Sequence, residues 1–169
     1  IAPGQSDQML LAPDFPGYNF DVLHGVSYVV DISQPSRYNP RGDLVNPTAS
    51  RISDLLLDGQ PVADSARLVV ATNNYRADGG GSSFPSELRG SAIIESTEMT
   101  REVLIRHIEK VGRLAPVPVP VWRFAPMPGT SVLFDTGPRA ALYANDVTAL
   151  RMEQIGLQPD GFLRFRIHL

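Results

Sequence analysis

Short apolar stretches alternate with prolines, glycines and polar turns along the whole chain, a pattern typical of a strand-rich protein. Residues 162–169 alternate apolar and basic side chains, which predicts a β-strand with one solvated face. Further strands are predicted at the other apolar stretches, over 20–32, 52–57, 67–73, 92–94, 121–124, 132–134 and 150–155. The pattern therefore predicts a mixed, strand-dominated α+β fold.

One main helix is predicted, and its signals follow residue 95. Its apolar face carries Val103, Leu104, His107, Ile108 and Val111 at helical spacing. Ser96 or Thr97 is the expected N-cap, and Gly112 is expected to end the helix. A short second helix is expected over 139–143, and the proline-rich residues 116–120 read as an extended connector.

Turn chemistry is clearest at Asp58-Gly59, because Asp-Gly favours the two-residue turn of a β-hairpin.

A different kind of strand end follows Leu68. The apolar run stops at Asn73, Asn74 and Tyr75, and three glycines begin at Gly79. Two amides, an aromatic ring and a backbone free of Cβ atoms suit a planar, polar ligand. An ordinary loop leaving a sheet would have the same composition.

Composition excludes several classes of function. The chain has 169 residues, of which 43% are hydrophobic, so we expect one domain over 1–169. A net charge of −3 provides no basic surface for a nucleic acid polymer. The absence of cysteine excludes disulfides and thiolate metal sites. No apolar run reaches the roughly 20 residues of a membrane span, so no membrane partner is expected. The chain begins without Met, which favours a processed or cut product.

Catalytic chemistry is not visible in the sequence. His24, His107 and His168 lack the spacing of metal ligands, and no Gly-x-Ser-x-Gly motif is present. Carboxylates lie mostly at predicted strand ends, where turn formation explains them; examples are Asp31, Asp54, Asp58 and Asp135. We therefore predict no catalytic residue and no metal ligand within this chain.

Several stretches together resemble one known family. They are Ile1 to Gly4, Tyr18 to Pro35, Asn46-Pro47, Asp58 to Val62, Arg67 to Gly80 and Trp122 to Pro126. These stretches resemble the C-terminal domain of the 5'-nucleotidase family. Within that family, the likeness is to the bifunctional 2',3'-cyclic-nucleotide 2'-phosphodiesterase/3'-nucleotidases.

The resemblance implies a two-domain hydrolase. Members of the family hold two divalent metal ions in an N-terminal metallophosphoesterase domain and bind the nucleotide with the C-terminal domain. This chain then corresponds to the latter portion of the C-terminal domain, with a fold incomplete at its N-terminus. The metal ions are expected in the preceding domain, none is expected in this fragment, and the fragment alone is expected to be inactive.

The resemblance also implies a substrate-binding loop. Tyr75 matches the aromatic that stacks on the nucleobase, Asn73 and Asn74 precede it, and Asp78, Gly79 and Gly80 match the loop beside base and ribose. The second stacking aromatic and the phosphate-binding arginines are expected before Ile1. Stacking on one ring tolerates any base and needs no positive charge.

Gly81, next to this loop, and Arg76, within it, also bear on how the nucleotide would be bound. Many 5'-nucleotidases have Asp where this chain has Gly81, and a carboxylate there would repel a 3'-phosphate or cyclic phosphate. Gly81 therefore favours the cyclic-nucleotide branch. Arg76 either meets a phosphate or ribose oxygen or, as we favour, pairs with a surface carboxylate.

The resulting hypothesis is the nucleotide-recognition domain of a periplasmic, cell-wall or secreted hydrolase. Its expected partners are a nucleoside 2',3'-cyclic phosphate or 3'-nucleotide and the catalytic domain of the same polypeptide. Two alternatives stay open. One is the corresponding domain of a 5'-nucleotidase or UDP-sugar hydrolase, and the other is a non-enzymatic binding module of the same fold.

Overall fold

The computed structural model describes residues 1–13, 15, 17–80, 92–115 and 119–169. Within these ranges the strands are β1 (Gln8–Met9), β2 (Val26–Val30), β3 (Ile52–Leu57), β4 (Gln60–Pro61), β5 (Trp122–Phe124), β6 (Ser131–Thr136), β7 (Arg151–Leu157) and β8 (Leu163–His168). The helices are α1 (Asn74–Ala77), α2 (Thr100–Val111) and two 3-10 helices, Gly17–Asn19 and Pro138–Asp146. The predicted mixed, strand-dominated α+β class is confirmed.

The strands form two four-stranded sheets. The first has the order β1-β6-β8-β7, and the second has the order β4-β3-β2-β5. Two pairings are parallel, β1 with β6 and β2 with β5, and the others are antiparallel. Each sheet is therefore mixed.

The core joins the two sheets. Val30 of β2, Val132 of β6 and Ile167 of β8 belong to one buried cluster, together with Ile32 and Met127. Partly buried side chains from both sheets pack against this cluster, including those of Tyr28, Trp122, Phe134 and Met152. Burial of these apolar groups is the main stabilising term of the fold.

Strand β8 has the alternation that the sequence predicts. Leu163, Phe165 and Ile167 are buried, and the residues between them are half-exposed. On the half-exposed face, Arg164 donates two hydrogen bonds of 2.7 Å to the Asp135 carboxylate on β6. These bonds lower the pKa of Asp135. Arg166 pairs in the same way with Asp7 and also with Glu153, so the predicted solvated face carries ion pairs.

The hairpin between β3 and β4 is also as predicted. Leu57 pairs with Gln60, which leaves a two-residue turn at Asp58-Gly59. Both turn residues have positive φ, 51° at Asp58 and 77° at Gly59. Type I′ turns need this backbone conformation, and Asp followed by Gly accepts it at low cost.

Three predicted strands are wrong in whole or in part. Residues 67–73 and 92–94 have no regular structure, and β2 begins only at Val26, not at residue 20. Val69 and Ile94 are 80% and 85% exposed. A strand requires a neighbour for its backbone hydrogen bonds, and among the described residues no strand pairs with 67–73 or 92–94.

The helix predictions hold except at the boundaries. Helix α2 begins after Met99, which makes no side-chain cap, and Ser96 Oγ instead accepts a hydrogen bond from the Glu98 amide. Gly112 ends the helix as predicted, with a φ of 74°. The helix expected over 139–143 is the longer 3-10 helix Pro138–Asp146. Of the predicted connector over 116–120, residues 116–118 lie outside the described part.

Candidate functional site

The stretch Asn73 to Gly80 folds into a compact loop around one helical turn. The Asn73 side-chain oxygen accepts a hydrogen bond of 2.8 Å from the Arg76 amide and so caps α1. The Asp78 amide donates to the Asn74 carbonyl and the Gly79 amide to the Arg76 carbonyl, both at 2.9 Å. Local hydrogen bonds therefore fix the backbone on both sides of Tyr75.

Gly80 lies directly against Tyr75. A Cβ atom at position 80 would be 2.4 Å from the Tyr75 carbonyl oxygen and 2.6 Å from the ring atoms Cδ2 and Cε2. Because such contacts are far inside van der Waals distance, only glycine fits here with this ring position. Tyr75 nevertheless remains 60% exposed. The glycine thus allows a close backbone approach without covering the ring.

Arg76 connects this loop to a second segment. Its guanidinium carbon lies 5.5 Å from the centroid of the Tyr75 ring, and Nη1 donates to the Gly80 carbonyl at 3.1 Å. The same guanidinium forms an ion pair of 3.1 Å with Asp21. The prediction that Arg76 pairs with a carboxylate is confirmed.

The second segment carries an aromatic that sequence reasoning missed. Arg76 donates to the Asn19 side-chain oxygen at 3.2 Å and to the Tyr18 carbonyl at 3.4 Å. Tyr18 is 81% exposed, so its side chain is accessible, while its carbonyl oxygen binds the Arg76 guanidinium. An aromatic between Gly17 and Asn19, outside any apolar run, was the available signal.

A groove of about 470 Å³ adjoins the loop. Its wall is mainly apolar, with Arg76, Asp21 and Thr72 as polar groups, and its apolar side chains include Phe20, Tyr28, Val30, Ile52, Leu55 and Val70. Exposed aromatic rings and a mainly apolar groove with few polar groups can bind a planar, partly polar molecule.

The predicted site residues Asn73, Asn74, Tyr75, Asp78, Gly79 and Gly80 are brought together in this loop, whereas Gly81 lies outside the described residues. In the part of the chain that the structure describes, no group of three or more His, Asp or Glu side chains is placed to hold a metal ion. The arrangement of the loop and the adjoining groove supports binding of a ligand.

None of the described helices combines the length and the apolar character needed to cross a bilayer.

Comparison with known proteins adds a family and named relatives. Residues 5–87 match the family described as 5'-nucleotidase, C-terminal domain. The chain is 38% identical over 139 residues to the trifunctional nucleotide phosphoesterase protein YfkN of Bacillus subtilis (strain 168), covering 82% of this chain and 9% of that protein.

Two further relatives are both called 2',3'-cyclic-nucleotide 2'-phosphodiesterase/3'-nucleotidase. They come from Haemophilus influenzae and Salmonella typhimurium (strain LT2), and each is 35% identical over 164 residues. These alignments cover 92% of this chain and 25% of each relative. The chain thus spans a quarter or less of the length of these curated relatives. No solved structure matches the chain.

The family match includes the hairpin, strand β2, segment 17–21 and the Tyr75 loop, so the geometry described above lies within the matched residues. Residues 5–87 therefore carry the similarity to the C-terminal domain of the 5'-nucleotidase family, and the relatives named above align with 82% to 92% of this chain.

Proposed function

We propose that this chain is the substrate-recognition domain of a longer phosphoesterase that acts on nucleoside 2',3'-cyclic phosphates and 3'-nucleotides. The observation that carries the proposal is the exposed Tyr75 ring on a loop fixed by Gly80 and Arg76. The names of the relatives from Haemophilus influenzae and Salmonella typhimurium support this substrate class.

Base stacking on Tyr75 is the main interaction of the proposal. Stacking a nucleobase on an aromatic side chain contributes about 1–3 kcal/mol and depends little on base identity. A ring that is already held in place loses less conformational entropy when the base binds. The Tyr75 loop therefore suits a hydrolase that accepts several bases.

Tyr18 offers a second aromatic surface. It is 81% exposed, and its carbonyl is bound by the same guanidinium that lies over Tyr75. We propose that Tyr18 contributes to base binding from segment 17–21. The resemblance places a further stacking aromatic before Ile1, and Tyr18 would act in addition to it.

The polar neighbours supply hydrogen bonds. Asn74 and Asp78 flank the Tyr75 turn with short polar side chains, Gly79 allows a sugar to approach the backbone closely, and Gly80 makes room for the Tyr75 ring. The side-chain oxygen of Asn73 already caps α1, so Asn73 contributes to the site by holding the turn and with its remaining amide donors. We assign these residues to the edge of the base and to the ribose.

Hydrolysis itself is assigned to another part of the longer polypeptide. The resemblance implies a preceding domain with two divalent metal ions, which would activate water and stabilise the charge that develops on phosphorus. The residues described here would orient the nucleotide relative to that domain. A periplasmic, cell-wall or secreted location belongs to the same proposal.

The test is hydrolysis by the full-length protein that contains this chain. With added divalent metal, we expect release of phosphate from 3'-AMP and opening of 2',3'-cyclic AMP, with little release from 5'-AMP. Chelation of the metal should abolish both activities. Preference for 5'-AMP or a UDP-sugar would assign the chain to the other branch of the family. Absence of hydrolysis of all these compounds would favour a non-enzymatic binding module.

A further inference from the structure

Arg76 makes contacts in two segments that lie far apart in the sequence. It binds the Tyr18 carbonyl, the Asn19 side chain and the Asp21 carboxylate, which are 58, 57 and 55 positions away. In its own loop it binds the Gly80 carbonyl and lies over the Tyr75 ring. One guanidinium therefore fixes the relative position of segment 17–21 and of the loop 73–80.

The burial of the guanidinium strengthens this link. The side chain of Arg76 is only 15% exposed, whereas that of its partner Asp21 is 53% exposed. These acceptors engage both Nη1 and Nη2, so the planar guanidinium is held from several directions. Lysine has a single ammonium group on a flexible stem and does not reproduce this geometry.

These contacts also decide between the two sequence-based roles of Arg76. A phosphate ligand needs donors directed at the ligand, but here Nη1 and Nη2 are directed at protein oxygens on two loops. The contacts thus favour a role in which the guanidinium organises the two aromatic residues, Tyr18 and Tyr75.

We propose that Arg76 is a positioning residue that holds the Tyr75 ring in a fixed place relative to Tyr18 and segment 17–21. The inference rests on the proposed function as far as nucleotide binding is concerned. When the guanidinium is lost, the ring gains rotational freedom that binding must then remove, at a cost of about threefold to tenfold in affinity. The chemical step, which takes place elsewhere, should be unaffected.

The experiment compares Arg76→Gln and Arg76→Lys with the native full-length protein. The matched control is Arg139→Gln, since Arg139 is an exposed arginine of the 3-10 helix Pro138–Asp146. The first measurement is amide hydrogen exchange, and the second is KM and kcat for 2',3'-cyclic AMP. Thermal unfolding of each variant confirms that the fold is retained.

For both Arg76 variants we expect faster amide exchange in residues 17–21 and in residues 74–80 together. We also expect KM to increase about threefold to tenfold, with kcat unchanged within a factor of two. Adding Arg76→Gln to Tyr75→Ala should increase KM little further, because both changes act through the same ring. The Arg139→Gln control should match the native protein.

Three results would overturn the proposal. They are unchanged exchange in residues 17–21, restoration of native KM by Arg76→Lys, and full additivity of Arg76→Gln with Tyr75→Ala. The exchange measurement needs no substrate, so it separates this proposal from the proposed function. If exchange increases in both segments while the native protein hydrolyses no nucleotide, the link between the loops stands and the nucleotide assignment fails.

Discussion

Strand β8 and the apolar stretches 67–73 and 92–94 are all predicted strands, but they differ in the folded chain. Each contains isoleucine or valine, yet Ile167 on β8 is 4% exposed and Ile94 is 85% exposed. Strand β8 pairs with β6 on one side and with β7 on the other. The described residues provide no such neighbour for 67–73 or 92–94. An apolar run is thus buried only where a pairing partner and an opposing face are available.

The same comparison separates stability from function. The two sheets and the core cluster hold most of the buried apolar residues, whereas the candidate site lies on an exposed loop with no buried residue in α1. Ligand sites commonly lie on loops that a packed scaffold positions. We therefore expect substitutions in the first region to change unfolding and substitutions in the second to change binding.

The largest expected effect comes from a matched pair of isoleucines. Ile167→Ala removes buried side-chain volume and should lower the free energy of unfolding by about 2–5 kcal/mol. Ile94→Ala, at an exposed position, should change it by less than about 0.5 kcal/mol. Urea unfolding of both variants against the native protein measures the difference.

If Ile94→Ala greatly lowered the free energy of unfolding of the full-length polypeptide, Ile94 would not be an exposed position there. Residues outside this chain would then cover Ile94 in the longer protein. A small effect of Ile167→Ala would contradict the core described here.

A pair of glycines tests the site region. Gly80→Ala introduces a methyl group within 2.6 Å of the Tyr75 ring, whereas a Cβ at Gly137 meets no atom within 4 Å. Overpacking of this kind costs about 1–3 kcal/mol, and because the nearest atom is the Tyr75 carbonyl oxygen at 2.4 Å, the loop backbone must shift together with the ring. We therefore expect a higher KM for 2',3'-cyclic AMP in Gly80→Ala and an unchanged KM in Gly137→Ala. Equal KM values in the two variants would show that the ring position is irrelevant to binding.

The smallest expected effect is the loss of stability at low pH that comes from the ion pairs on strand β8. Hydrogen bonds from Arg164 lower the pKa of Asp135, and those from Arg166 lower the pKa of Asp7. A carboxylate with a lowered pKa in the folded state stabilises the fold above its unfolded pKa of about 3.9, and this contribution is lost as the pH falls further. The urea midpoint should therefore decrease below about pH 4, and less steeply in Asp135→Asn. If the urea midpoint of Asp135→Asn decreases with falling pH as steeply as that of the native protein, the contact between Arg164 and Asp135 is ruled out as a source of the pH dependence.

The sequence predicts best those elements whose signals are local. Asp58-Gly59 specifies its turn through backbone preference, Gly112 ends α2, and the alternation in 162–169 reports one buried face. None of these needs knowledge of distant residues. The prediction at 67–73 fails because strand formation depends on a partner that local sequence does not contain.

The site was predictable only in its own loop. Asn73 to Gly80 stand out as a motif, but the contacts from Arg76 to Tyr18, Asn19 and Asp21 join residues more than fifty positions apart. The close approach of Gly80 to Tyr75 likewise depends on the fold of the turn. Sequence alone therefore indicated one ring of the site, and the structure adds the segment that carries Tyr18.

The central claim is that Tyr75 binds the nucleobase, and binding of adenosine tests it most directly because adenosine has no phosphate. The measurement is calorimetric titration of the native full-length protein, Tyr75→Ala and Tyr143→Ala. Tyr143 is the matched control, since it is 59% exposed and Tyr75 is 60% exposed. Loss of one stacking face should weaken adenosine binding by roughly fivefold to 150-fold in Tyr75→Ala and leave Tyr143→Ala unchanged. Native affinity in Tyr75→Ala would contradict the account.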